Sequence, residues 1–160
     1  MADADERPIV EVARHDVTSA LALSLITELN AELTDTYPEP GATHFRLDAD
    51  EVSGSRGVFL VASVAGEPVG CGAIRRLDDE TAEIKRMYVR AARRNRGIAN
   101  VVLGELESHA RRLGVRRLVL ETGERQIHAV ALYTRAGYVR IPPFGEYVNS
   151  PLSLCMEKKL

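Results

Sequence analysis

The sequence predicts one α/β domain, and three observations carry that expectation. The chain has 160 residues, enough for one core of ordinary size and too few for two comfortable ones. It is 45% hydrophobic and 28% charged, a balance that lets a chain bury enough apolar surface to fold. Finally, stretches of strand character alternate with stretches of helical periodicity along its length, which is the α/β pattern. No repeat or linker divides it, so residues 1–160 are read as a single domain.

Residues 9–13 form a short apolar stretch of strand character, after which Asp16 is placed to cap a helix with Ala22, Leu25, Ile26, Leu29 and Leu33 on one face. Residues 34–47 hold two prolines and a glycine with Tyr37 and Phe45, so a long loop is expected there. LDADEV suits a single helical turn. VFLVASV and PVGCGAIRRL then read as two strands joined through Ala65, Gly66 and Glu67 in a hairpin. TAEIKRMYVR reads as a fourth strand, and the change of apolar phase between Ile84 and Met87 predicts a bulge.

Ala99, Val102, Leu103, Leu106, Ala110 and Leu113 recur at helical spacing until Gly114, a C-terminal cap. VRRLVLET is the next strand, and Ala129, Leu132, Tyr133 and Ala136 mark a short helix ended by Gly137. A short strand, a Pro/Gly-rich loop and a closing strand near residues 152–158 complete the chain.

Composition excludes several function classes. A net charge of -2 supplies no overall positive field for a polyanion, so no nucleic-acid partner is expected. Arg90, Arg93, Arg94, Arg96, Arg111, Arg112, Arg116 and Arg117 are then either solvated faces or local phosphate ligands. Cys71 and Cys155 stand far apart, the four histidines are scattered, and no metal site is expected. No apolar run approaches the roughly 20 residues of a membrane span, and the N-terminus lacks the basic start and apolar core of a signal peptide. A cytoplasmic protein with reduced thiols, without membrane contact, is expected.

The informative stretch is Arg94-Asn95-Arg96-Gly97-Ile98-Ala99. It follows a strand and opens the firmest helix in the sequence, where backbone N–H groups have no partner. Such an end attracts anions, and a glycine there lets a phosphate reach the backbone without meeting a Cβ. The residues thus predict a diphosphate cradle. The glycine pattern of the nucleotide hydrolases is absent, and Gly70-Cys71-Gly72 is only a G-x-G fragment inside a strand.

That hexapeptide fits the signature [Q/R]-x-x-G-x-[G/A] of the GNAT superfamily of acetyl-coenzyme A dependent N-acetyltransferases, which the sequence resembles. AEIKRMYV is similar to the family's fourth strand, and ALYTRAGY to its A-x-x-L-Y-x-x-x-G-[F/Y] segment. The resemblance covers about residues 58–158. It implies a GNAT-like fold: a mixed, mostly antiparallel sheet of six to seven strands with about four helices, splayed between the fourth and fifth strands. It also implies contacts to the coenzyme pyrophosphate from the backbone N–H groups of Asn95, Arg96, Gly97, Ile98, Ala99 and Asn100, with Arg94 also on the cofactor, and pairing of the pantetheine arm with Met87, Tyr88 and Val89. Glu83, eleven positions before the hexapeptide, matches a carboxylate base, and Tyr133 matches the tyrosine that protonates the departing thiolate. Gln126 stands where the family often has a cofactor-contacting asparagine.

The chemistry suits these residues. An ammonium must lose a proton before it attacks a thioester, and a carboxylate in a desolvated cleft can take it. A strand N–H near Met87 or Tyr88 is placed to stabilise the thioester oxygen. Neither cysteine has a histidine or helix start beside it to activate it, so direct transfer in a ternary complex is expected over an acyl-cysteine. Tyr37, Phe45, Phe144, Glu146 and Tyr147 are the candidate acceptor walls; pinning of loops, or a homodimer interface, is their structural alternative. The expected reaction is acetyl transfer from acetyl-coenzyme A, as donor cosubstrate, to the primary amine of a small molecule. A protein N-terminus or lysine, or non-catalytic coenzyme binding, is the alternative.

Overall fold

Period-two alternation sorts the central strands onto two faces in the computed structural model, which describes residues 7–43 and 47–160. Val58 and Leu60 of β2 (Gly57–Val64) point to one face, and Phe59 and Val61 to the other. The strands are β1 (Glu11–Arg14), β2, β3 (Glu67–Arg76), β4 (Thr81–Val89), β5 (Arg117–Gly123), β6 (Val139–Ile141) and β7 (Ser153–Lys159). They form one seven-stranded sheet in the order β1-β2-β3-β4-β5-β7-β6. Every pairing is antiparallel except β4 with β5. The sheet is thus mixed and mostly antiparallel, as the resemblance implies.

Three α-helices lie among the described residues: α1 (Ala20–Thr36), α2 (Ile98–Arg112) and α3 (Ile127–Arg135). The turn expected in LDADEV is a short 3-10 helix at Ala49–Val52. α2 buries Val102, Leu103, Leu106 and Ala110 against Val58, Leu60, Ile74 and Leu120. α1 buries Ala22, Leu25 and Leu29 against Phe59, Val61 and Ala73 on the opposite face. Each of these buried leucines contributes roughly 1.5–3 kcal/mol relative to exposure. No helix among the described residues is long and apolar enough to cross a membrane.

Two expectations for the first helix need correction. Its cap is Ser19, whose hydroxyl accepts from the Ala22 N–H at 3.2 Å. Asp16 is held in the preceding turn by the N–H and hydroxyl of Thr18. The helix also runs through Thr34, Asp35 and Thr36, which the sequence pattern assigns to the loop. The hydroxyls of Thr34 and Thr36 bond back to the carbonyls of Asn30 and Glu32, so neither competes with the helix as it would in a turn.

The bulge falls where the apolar phase changes. Tyr88 pairs with Cys71 and Lys85 with Ala73, leaving Arg86 and Met87 opposite the single residue Gly72. Arg86 takes the left-handed conformation, with φ of 60°. The extra residue keeps Met87 on the face of Ile84, although three positions separate them.

Candidate active site

β4 and β5 pair only from Thr81↔Arg117 to Ile84↔Leu120. Beyond that point β4 continues to Val89 and β5 to Gly123 without pairing to each other. The two strands part at Lys85 and Glu121 and leave a slot between them. Its walls include Met87 from β4, Glu121 and Thr122 from β5, Gln126 and Tyr133 from α3, and Tyr147.

α2 starts at the far end of β4. Asn95 and Gly97 both have positive φ, 63° and 82°, and Gly97 is the N-cap residue, without a side-chain cap. The N–H groups of Ile98, Ala99 and Asn100 in the first helical turn are therefore open to a ligand. A Cβ at Gly97 would sit 3.5 Å from the guanidinium of Arg7, so a cation not nominated by sequence pattern overhangs this corner. The neighbouring arginines are largely engaged elsewhere. Arg90 pairs with Glu28, Arg93 with Glu67, and Arg94 with Glu32. The Nε of Arg94 also donates to the Val89 carbonyl at 2.9 Å. Arg96 is exposed and has no ion pair to a described residue.

Met87 and Tyr88 line opposite faces of β4, and the guanidinium of Arg94 lies over the Tyr88 ring at 5.7 Å. Gln126 occupies the N-cap of α3, half-buried, and borders the slot. Tyr133 is 5% exposed and packs edge-to-face on Tyr138. Burial, and then the nearby Glu121 charge, push its pKa upward, so its hydroxyl keeps its proton at neutral pH and is available as a donor.

Glu83 is 1% exposed. It stands directly across the ladder from Arg75, whose guanidinium donates to its Oε1 at 2.9 Å. The Tyr147 hydroxyl donates to Oε2 at 2.6 Å. Arg75 is held in turn by Glu51. Lys85, on the same face, is buried; its Nζ has no hydrogen-bond partner and lies 3.7 Å from Glu146. Burial lowers the Lys85 pKa.

Glu121 is the slot carboxylate that sequence pattern did not nominate. Burial raises its pKa to about 7. The signal available was a glutamate directly after the apolar run Leu118-Val119-Leu120, a charged residue at a position the sheet should cover. Thr122, next along β5, has a buried hydroxyl without a partner. An orphaned polar atom beside a slot lined by unpaired strand edges is what a chain of amides and hydroxyls would satisfy.

The candidate acceptor walls divide. Tyr147 is buried and packs edge-to-face with Phe144 at 5.3 Å, while Glu146 is partly exposed. Tyr37 borders the slot and also works as a strut: its hydroxyl accepts the Arg125 N–H at 3.2 Å. Arg125 stacks over the Tyr37 ring and holds Glu39 with two hydrogen bonds. Gly123 is required here, because a Cβ would lie 1.8 Å from the Tyr37 hydroxyl. Phe45 lies outside the described residues. Burial pushes the Cys71 thiol up to about 12, and its Sγ is bonded to the Arg86 carbonyl, so it is no nucleophile at neutral pH. No group of three or more metal-ligating side chains is gathered among the described residues.

Residues 23–138 match the sequence model of the Acetyltransferase (GNAT) family. The IAA acetyltransferase of Azospirillum brasilense is 39% identical over 155 residues, covering 96% of this chain and 99% of the relative. The uncharacterized N-acetyltransferase YsnE of Bacillus subtilis is 34% identical, covering 91% and 96%. A Klebsiella pneumoniae structure described as an acyl-CoA N-acyltransferase superposes with a TM-score of 0.81 at 33% identity, over 95% and 98% of the two chains. A GNAT family acetyltransferase of Elizabethkingia anophelis, solved with acetyl-CoA bound, shares the fold at a TM-score of 0.66 and 20% identity, over 94% and 98%.

Proposed function

The chain belongs to the GNAT acetyltransferase family, and from that premise we propose that it transfers the acetyl group of acetyl-coenzyme A to the primary amine of a small molecule in one ternary complex. The observation that carries this reading is the slot that opens where β4 leaves β5, together with the uncapped start of α2 that follows the free end of β4 in the chain. A two-carbon acyl group at the fork and a diphosphate at Gly97 suit those two ends. N–H groups of Gly97, Ile98, Ala99 and Asn100 bind the pyrophosphate, helped by Arg7 and Arg96. The unpaired edge of β4 over Met87, Tyr88 and Val89 aligns the pantetheine arm, with Thr122 and Gln126 facing it. The N–H near Met87 or Tyr88 stabilises the thioester oxygen as charge develops there.

Tyr133 gives its proton to the departing sulfur. Glu83 acts through another residue: clamped by Arg75, it fixes the Tyr147 hydroxyl at the acceptor end. Tyr37, Phe144 and Glu146 complete that end, and the buried Glu83, Lys85 and Tyr147 and the half-buried Glu121 that gather there support a small amine as acceptor.

The test is thiol release from acetyl-coenzyme A across a panel of amines, amino acids and lysyl peptides, with IAA included because a relative carries that name. Release with at least one small amine is expected. Coenzyme binding without release on any member contradicts the transferase reading.

A further inference from the structure

We propose that Glu121 is the base that takes the proton from the acceptor amine, resting on the acetyl-transfer reading above, and that Glu83 is a positioning residue. Two carboxylates face the same slot, and their surroundings differ. Glu83 belongs to the paired part of the ladder, opposite Val119, and both its oxygens accept hydrogen bonds from cationic or phenolic donors. Both oxygens of Glu83 are thus already occupied by donors that hold the side chain in place. Glu121 is the first residue of β5 past the last pair with β4, where the strands fork. One of its oxygens accepts from Ser153 Oγ at a long 3.2 Å, and the other has no hydrogen-bond partner among the described residues. It is therefore the slot carboxylate with an oxygen free to receive a proton.

The groups facing Glu121 come from every element around it. Glu83 and Lys85 face it from β4, and Glu146 from the segment before β7. Tyr147 from that segment, Tyr133 from α3, Cys155 from β7 and Tyr37 after α1 also feel its charge. Burial, with Glu83 and Glu146 adding repulsion, disfavours its ionised form, while Ser153 and Lys85 favour it. The net result, a carboxyl titrating at about 7, suits a base working at neutral pH.

Protons and electrons balance. The ammonium passes one proton to the Glu121 carboxylate, and the freed nitrogen lone pair forms the C–N bond to the acetyl carbon. The C–S bond breaks, its electron pair leaves with sulfur, and sulfur takes the Tyr133 proton. Tyr133 is restored by the second proton lost from nitrogen, and Glu121 releases the first to solvent.

The experiment is the pH dependence of kcat/KM for the best amine of the panel, in wild type, Glu121→Gln, Ser153→Ala and Glu83→Gln, with coenzyme affinity measured alongside. Wild type should show an acid limb near neutrality. Glu121→Gln should lose that limb, fall about 100-fold or more at pH 7, recover log-linearly towards the amine's own pKa, and keep its coenzyme affinity. Ser153→Ala, which removes a bond to the ionised carboxylate, should move the limb to higher pH, and this decides the matter should the glutamine variant not fold. Glu83→Gln should keep the limb at lower overall activity. A Glu121→Gln enzyme with the wild-type limb, an unmoved limb in Ser153→Ala, or loss of the limb in Glu83→Gln overturns the assignment while leaving acetyl transfer intact. Absence of wild-type turnover overturns both.

Discussion

The two ends of the slot are built from different materials. At the proposed donor end the groups offered are backbone amides of four consecutive residues, and the arginines around them are largely tied up in ion pairs. At the acceptor end they are side chains: Glu83 and Lys85 from β4, Glu121 from β5, Tyr133 from α3, and Tyr147 from before β7. A backbone site tolerates most changes except one that alters its φ or fills its space. A side-chain site depends on each charge and hydroxyl, and on the partners that hold them. Substitutions at the two ends should therefore affect different measurements.

A loss comparable with that of Glu121→Gln is expected from Tyr133→Phe. Removing the proton donor should lower kcat by about 100-fold and leave coenzyme affinity within about twofold. Steady-state rates at saturating coenzyme, with calorimetry, check this; equal rates in both proteins would refute the role. Gly97→Asp comes next and tests the other end. A residue with a Cβ at φ 82°, carrying a negative charge at a helix start, should weaken coenzyme binding by about 30- to 100-fold, or roughly 2–3 kcal/mol. The KM for the amine should hardly move, and unchanged coenzyme affinity by calorimetry would count against the cradle.

The smallest effect concerns stability and has a sign fixed by linkage. The Glu121 carboxyl is raised from 4.5 to about 7 in the fold, so its favourable contribution is complete below pH 4.5 and is lost as pH rises through 7. Glu121→Gln removes that loss. The variant should melt several degrees above wild type at pH 8, and level with it at pH 4. A lower Tm at pH 8 would mean that the charge is better accommodated than its burial implies.

The same contrast governs what could be read from the sequence. An uncapped helix start needs a glycine at one place between a strand and a helix, and Gly97 marks it in a single local string. The bulge is equally local, because one extra residue shifts the apolar phase between Ile84 and Met87. The clamp on Glu83 is not local: Arg75, Glu51 and Tyr147 come from three separate segments and meet only through the β3–β4 register and the chain reversal before β7. The placement of Glu121 was hidden for the same reason, since it depends on standing one residue beyond the end of a ladder. The arginine stretch was open to two local readings, and the fold pairs three of its members with acids on α1 and at the start of β3. Tyr37 answers to both readings its aromatic type allowed: its side chain borders the slot, and its hydroxyl, packed against Gly123, makes it a strut as well.

The central claim is that peptide amides at the start of α2 grip the diphosphate of the donor. Backbone amide resonances followed during a titration with coenzyme A test it most directly. The largest shifts are expected at Gly97, Ile98, Ala99 and Asn100, with a second set at Met87, Tyr88 and Val89 along the open edge of β4. Saturable binding that leaves those amides still and moves resonances on another face of the sheet would contradict it.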